Sequence, residues 1–237
     1  NIVGISGGEK DNSIAPFADA VIMTQEADKV AELLNNTADV LKEEYSVTDP
    51  HLTIKVNCEG EGSTLACDDA TTQMLINVLN FIPDGVVKMS NDIKGLVQTS
   101  LNLGTAYLED DKLVYKYLIR SNTAAGKKLL LERVTTFAKH LSGKVVTMSD
   151  YPAWEYKSDS QLRKICVDGF TNVYGHEPEV TSIHAGLECG ILAGKMPGVD
   201  MISFGPTLES VHTPDECMDV ASVERTWEYL LEILKSL

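Results

Sequence analysis

Leu96-Val-Gln-Thr-Ser-Leu-Asn-Leu-Gly-Thr-Ala-Tyr-Leu108, followed by Glu109-Asp-Asp-Lys112 and Leu113-Val-Tyr-Lys-Tyr-Leu-Ile-Arg120, is the stretch on which the fold turns. Two long runs rich in Leu, Val, Tyr, Thr and Ile, separated by a short acidic turn, read as a β-hairpin. Downstream, Ser121 or Thr123 caps a helix that runs to His140 and stops near Gly143. Upstream, Asp68 or Asp69 caps a helix carrying Met74, Leu75, Val78 and Leu79, closed by Pro83 and Gly85. Residues 26–45 place Val30, Leu33, Leu34, Ala38 and Leu41 at helical spacing, and 2–5, 18–23 and 52–56 read as short strands. Residues 1–149 are therefore expected to form a ferredoxin-like α+β sandwich with its helices on one face.

Ser149-Asp-Tyr-Pro-Ala-Trp154 breaks this pattern and marks the expected domain boundary. Beyond it, 158–174, 188–195 and 220–237 read as helices, and 179–183 and 201–204 as apolar strands, the units of an α/β layer. Two strands make a poor parallel sheet by themselves, because both faces and both edges need covering. Residues 150–237 thus read as half a domain. The chain opens at Asn1, directly in a strand-like run, and is expected to be entered midway.

Composition narrows the function classes. Thirty-five acidic against 20 basic residues give a net charge of −15 over 237 residues, which repels phosphate backbones and argues against a nucleic-acid partner. The densest basic cluster is Lys127, Lys128 and Arg133, on one helix. No run approaches the roughly 18 apolar residues of a membrane span, and no signal-peptide pattern opens the chain, so no membrane partner is expected. Cys58, Cys67, Cys166, Cys189 and Cys217 form no CxxC pair, which fits a reducing cytoplasm.

Gly4-Ile-Ser6-Gly-Gly8 matches the GxSxG nucleophile elbow, but the polar, turn-rich 9–16 that follows does not begin a helix, so it reads as a glycine turn. Ala124-Ala-Gly126-Lys127-Lys128 is similar to the end of a phosphate-binding loop. Ser121 stands where its first glycine belongs and Lys128 where its hydroxyl belongs, so it reads as a helix start. Ser203-Phe-Gly205-Pro206 and Val211-His212-Thr-Pro214-Asp215-Glu216 follow an apolar strand, where open α/β sheets place their chemistry. His212 is a candidate metal ligand or base there, and Asp215 or Glu216 a candidate cap for the last helix. His184, between Ile183 and Gly186, is a weaker candidate of the same kind.

These segments, with Gly7-Gly-x3-Asn12-x-Ile14, Thr99-Ser-Leu-Asn102-Leu-Gly104, Ile119-Arg120-Ser121, Tyr151-Pro-x-Trp154 and His184-Ala-Gly-Leu-Glu-Cys-Gly190, carry a resemblance. In order and spacing they resemble the C-terminal half of the bacterial aminoacyl-histidine (Xaa-His) dipeptidases, nearly end to end. The resemblance implies a two-metal peptidase, most simply with zinc and otherwise cobalt or manganese. Its catalytic domain is interrupted by a lid that often mediates homodimerisation, and it cleaves small dipeptides with a free N-terminus. Residues 1–149 would be most of the lid and 150–237 the returning part of the catalytic domain. His212 would be a metal ligand and Gly205 part of the loop that approaches the substrate carboxylate. Arg120 would be the lid arginine that pairs with that carboxylate, and Asn12 and Asn102 lid amides near the substrate.

The sequence departs from the family pattern after the glycine pair, where Asn12-Ser-Ile-Ala15-Pro16-Phe17-Ala18 has its proline shifted by one position. Thr213 replaces a serine that binds no metal. The remaining metal ligands and the general base of the family match nothing in these residues, so no catalytic residue is assigned, and this chain alone is expected to be inactive. The reaction implied for the whole enzyme is metal-assisted amide hydrolysis. The competing reading is a stand-alone lid-like module acting in dimerisation or regulation.

Overall fold

The computed structural model describes residues 1–62, 64–109, 112–182, 188–211 and 214–237. The fold is mixed α/β with an antiparallel sheet, the class expected from the sequence. It divides into two compact units: 1–83 with 102–118, and 84–101 with 119–237.

In the first unit, β1 (Ile2–Gly7) pairs antiparallel with β2 (Ala18–Ile22) from Ile2↔Ile22 to Gly7↔Ala18. On its other side β1 meets β4 (Val97–Glu109) at Gly7↔Ala106. Helices α1 (Ala27–Glu44) and α2 (Asp69–Phe81) belong to the same unit, each presenting one buried apolar residue, Ala38 and Leu75. Asp68 caps α2, its carboxylate accepting from the Thr71 N–H at 2.7 Å, and that hydrogen bond holds the carboxyl below its usual range.

β4 passes from the second unit into the first between Leu101 and Asn102, and β5 (Lys112–Ser121), its hairpin partner, returns at Ile119. In the second unit β3 (Gly85–Met89) pairs antiparallel with the start of β4, from Gly85↔Leu101 to Met89↔Val97. Helix α3 (Ala124–His140) follows β5, capped by Thr123, whose hydroxyl accepts from the Gly126 N–H. α4 (Gln161–Tyr174) starts at the Ser160 cap and ends at Gly175, whose φ of 74° is the left-handed geometry that glycine accepts at no steric cost. α5 (Glu188–Lys195) precedes a two-residue ladder of β6 (Leu208–Glu209) and β7 (Cys217–Met218), and α6 (Val220–Ser236) closes the chain.

The core of the second unit lies between α4 and α6. Cys166, Tyr229 and Ile233 are buried together, with Leu162, Phe170 and Ile202 packed against them. The Tyr229 hydroxyl donates to the Cys166 carbonyl at 2.8 Å, so the phenol enters the core with its polar end satisfied.

Three expected strands do not form among the described residues; Ile183, the last residue of the second, lies outside them. Residues 52–56 alternate half-buried and exposed as a strand does, but they form no ladder. Residues 179–182 and 201–204 likewise pair with nothing among the described residues. A parallel-type strand is stabilised only by distant partners, and apolar content by itself supplies no hydrogen-bonding neighbour. β3 begins at Gly85, a residue the sequence marks only as the stop of the preceding helix. The last helix is capped by Asp219 rather than Asp215 or Glu216. Its carboxylate accepts from the Ala221 N–H at 2.9 Å and pairs with Arg225, which holds the carboxyl below its usual range.

Candidate functional site

The Gly7-Gly8 turn leads from β1 into a loop that lies directly on β4. Gly8 has φ of 71°, and its N–H donates to the Phe17 carbonyl at 3.0 Å, closing the turn. A Cβ on Gly8 would strike the Gly104 carbonyl, and one on Gly104 would strike the backbone of Lys10 and Asp11. Both glycines are therefore required by backbone-to-backbone approach. The Asn102 amide completes the closure by donating to the Asp11 carbonyl at 3.2 Å and the Ser13 carbonyl at 2.9 Å. Asn12 sits between those acceptors and is exposed. The elbow-like Ser6 is a strand residue facing Asp19 across the β1–β2 ladder, so the strand runs two residues further than expected before the turn at Gly8.

Arg120, half-buried, lies one residue before the end of β5 in the second unit. Beside it the hydroxyls of Thr99 and Ser121 meet at 2.9 Å, and the Gln98 amide donates to the Thr123 hydroxyl at 3.3 Å. Gly126 faces this cluster so closely that a Cβ would come within 2.8 Å of all three hydroxyls. The first turn of α3 already holds a carboxylate: the Ala124 N–H donates to Glu155 Oε1 at 2.8 Å. That uses one of the unpaired amides every helix start presents. Lys127 reaches the Asp150 carboxylate and the Tyr151 carbonyl, each at 2.6 Å.

Gly205 is exposed, with open space where a Cβ would stand. It lines a cleft of about 330 Å³ together with Phe170, His176 and Phe204. The Phe204 ring lies 4.8 Å from that of Tyr229, and the His176 ring meets the edge of Phe170 at 5.4 Å.

The structure thus brings Asn102 to the loop of Asn12 in the first unit, and holds Arg120 and Gly205 on separate elements of the second. His212, His184 and Thr213 lie outside the described residues. Among the described residues no group of three or more His, Cys, Asp and Glu is arranged to hold a metal ion. These donors do not by themselves make a metal site, and no step is derived through one. Sequence reasoning missed the hydrogen bonds that occupy Asn102 and the Lys127 and Glu155 contacts. The second of these had a signal in the Gly126-Lys127 stretch, assigned only to a helix start.

The profile of peptidase family M20/M25/M40 matches residues 5–236. The chain belongs to this family. M20 peptidases are metallopeptidases that generally bind divalent metals. The chain is 29% identical over 238 aligned positions to the cytosol non-specific dipeptidase of Escherichia coli (strain K12), covering 100% of itself and 49% of that protein. Its structure is similar to that of aminoacylhistidine dipeptidase from Vibrio alginolyticus, with a TM-score of 0.90 and 32% identity over 100% of this chain and 48% of that one. Aminopeptidase PepT from Bacillus cereus shares the fold, with a TM-score of 0.52 and 16% identity over 68% of this chain and 44% of that one. The chain spans about half the length of the dipeptidases it matches. No described helix is long and apolar enough to cross a membrane.

Proposed function

We propose that the protein acts in the metal-dependent hydrolysis of dipeptides of the Xaa-His type. The observation that supports this is the likeness to aminoacylhistidine dipeptidase, which runs over the whole of this chain and 48% of that one, at a TM-score of 0.90. In this reading residues 1–149 are the lid, through which two copies pair, and 150–237 belong to the catalytic domain. The setting is cytoplasmic, in keeping with the cytosol dipeptidase it is similar to. Two divalent ions serve the whole enzyme, zinc with cobalt or manganese as substitutes, and His212 supplies one ligand. Their role when bound is to polarise the scissile carbonyl and lower the pKa of water.

The remaining roles belong to groups in this chain. Arg120 pairs with the substrate carboxylate through its planar guanidinium, and the Gly205 backbone approaches the same carboxylate. The open space at Gly205 supports that assignment. Asn102 and Asn12 are the lid amides, and the two bonds from Asn102 to the loop carbonyls support a division of labour. Asn102 holds the loop, and Asn12 reaches out from it.

The test is hydrolysis of β-alanyl-histidine by the protein isolated from its native cell, with the purified 237-residue chain beside it. Chelator-sensitive activity is expected in the native protein and none in the chain alone. Arg120→Ala in the native protein should lower kcat/KM about 30-fold or more, the cost of leaving a carboxylate without its partner. Native protein without chelator-sensitive dipeptidase activity overturns the proposal.

A further inference from the structure

The segment 150–155 joins α3 to the rest of the second unit, and its contacts are unlike those of a passive linker. At one end the Lys127 ammonium donates to the Asp150 carboxylate and the Tyr151 carbonyl, each at 2.6 Å. At the other, the Glu155 carboxylate accepts from the Ala124 N–H at 2.8 Å. Both anchors lie on the first turn of α3, three residues apart, so the segment is fastened twice to one rigid element. The Lys127 side chain is 25% exposed, whereas its neighbour Lys128 is 77% exposed and lies 3.9 Å from Glu132.

Between the anchors, Pro152 bears on α5. A Cβ on Gly190 would come within 2.6 Å of the Pro152 carbonyl oxygen, and one on Gly194 would meet the Pro152 side chain at 3.5 Å. The two glycines are four residues apart, so they share one face of α5 and form a groove with no side chains of its own. α5 begins at Glu188.

We infer that residues 150–155 are a strap clamped to the first turn of α3, and that Lys127 is a positioning residue that sets, through Pro152, where α5 lies. The Gly126-Lys127 stretch that is similar to a phosphate-binding loop has its use here. Gly126 makes room for three hydroxyls, the helix start is taken by Glu155, and the lysine holds the strap. The inference does not rest on the proposed dipeptidase activity, and its test reads backbone protection rather than catalysis.

The experiment is amide hydrogen exchange on the full chain. Lys127→Met should speed exchange about tenfold in 150–157 and also in α5, as loss of a local closing contact does. Lys127→Arg, which keeps the charge and the donors, should restore protection at both. Lys128→Met should change neither. Gly190→Ala, with Lys127 intact, should raise exchange in α5 and in the strap together, and serves should Lys127→Met fail to fold. The inference is overturned if the strap loosens while α5 keeps its protection, if Lys128→Met matches Lys127→Met, or if Gly190→Ala leaves the strap unmoved.

Discussion

The β1–β4 region of the first unit and the α4–α6 pair of the second reach close packing by opposite means. In the first, backbone lies on backbone. Gly8 and Gly104 remove the side chains that would keep the loop off β4, and the Asn102 amide fastens the loop by donating to the Asp11 and Ser13 carbonyls. In the second, side chains interlock: Tyr229 and Ile233 enter a layer formed by Cys166, Leu162 and Phe170. The first arrangement depends on having no atoms at two positions, and the second on having the right atoms at several. A contact made by absence tolerates almost no substitution, whereas one made by interlocking apolar groups gives way by degrees.

The largest expected effect follows from that contrast. Gly104→Val sets a branched side chain against the Lys10 and Asp11 backbone, which has no rotamer with which to yield, and should destabilise the first unit by about 3 kcal/mol. Both tryptophans, Trp154 and Trp227, belong to the second unit. In urea, far-UV circular dichroism should therefore lose part of its signal at a lower midpoint, while tryptophan fluorescence keeps the parent midpoint. If both midpoints fall together, the two regions melt as one and the comparison breaks.

The two regions also differ in how far they were legible in the sequence. Helices write their burial into a local period, so the helical spacing of Val30, Leu33, Leu34, Ala38 and Leu41 over 26–45 matches α1 to within a residue at each end. The β4–β5 hairpin was equally plain, because its strands are neighbours in sequence. Residues 52–56, 179–182 and 201–204 had the composition of strands, yet pairing is decided by distant chain that composition does not record. The candidate site was legible in the same uneven way. Arg120, Gly205, Asn12 and Asn102 came from a resemblance of motifs, not from any physical signal of their own. That Asn102 would be held by the loop of Asn12, and Lys127 by Asp150, depends on contacts 89 and 23 residues apart.

Each unit also holds a tyrosine whose hydroxyl is buried, Tyr115 on β5 of the first and Tyr229 on α6 of the second, and the pair sharpens the comparison with smaller effects. Burial raises the pKa of both phenols, that of Tyr115 to about 12. Tyr229 donates its proton to the Cys166 carbonyl, so Tyr229→Phe removes a satisfied buried bond. A loss of about 1 kcal/mol is expected in urea unfolding followed by fluorescence.

Tyr115 is the counter-case, since its buried hydroxyl has no hydrogen-bond partner among the described residues. Tyr115→Phe gives up nothing but a desolvated polar atom, and should be neutral or stabilising by about 0.5 kcal/mol. The same burial makes the residue a pH probe. An unfolded tyrosine titrates near its ordinary value of 10, while Tyr115 keeps its proton up to about 12. Between those values the unfolded chain releases a proton that the folded chain retains, so stability is whole below pH 10 and falls as pH rises through the folded pKa. Tyr115→Phe should shallow the alkaline decline seen by circular dichroism without changing the midpoint at pH 7 by more than its small neutral effect. Were it instead to destabilise at pH 7 as much as Tyr229→Phe, the Tyr115 hydroxyl would have a partner in solution. The two regions would then bury their tyrosines in the same way.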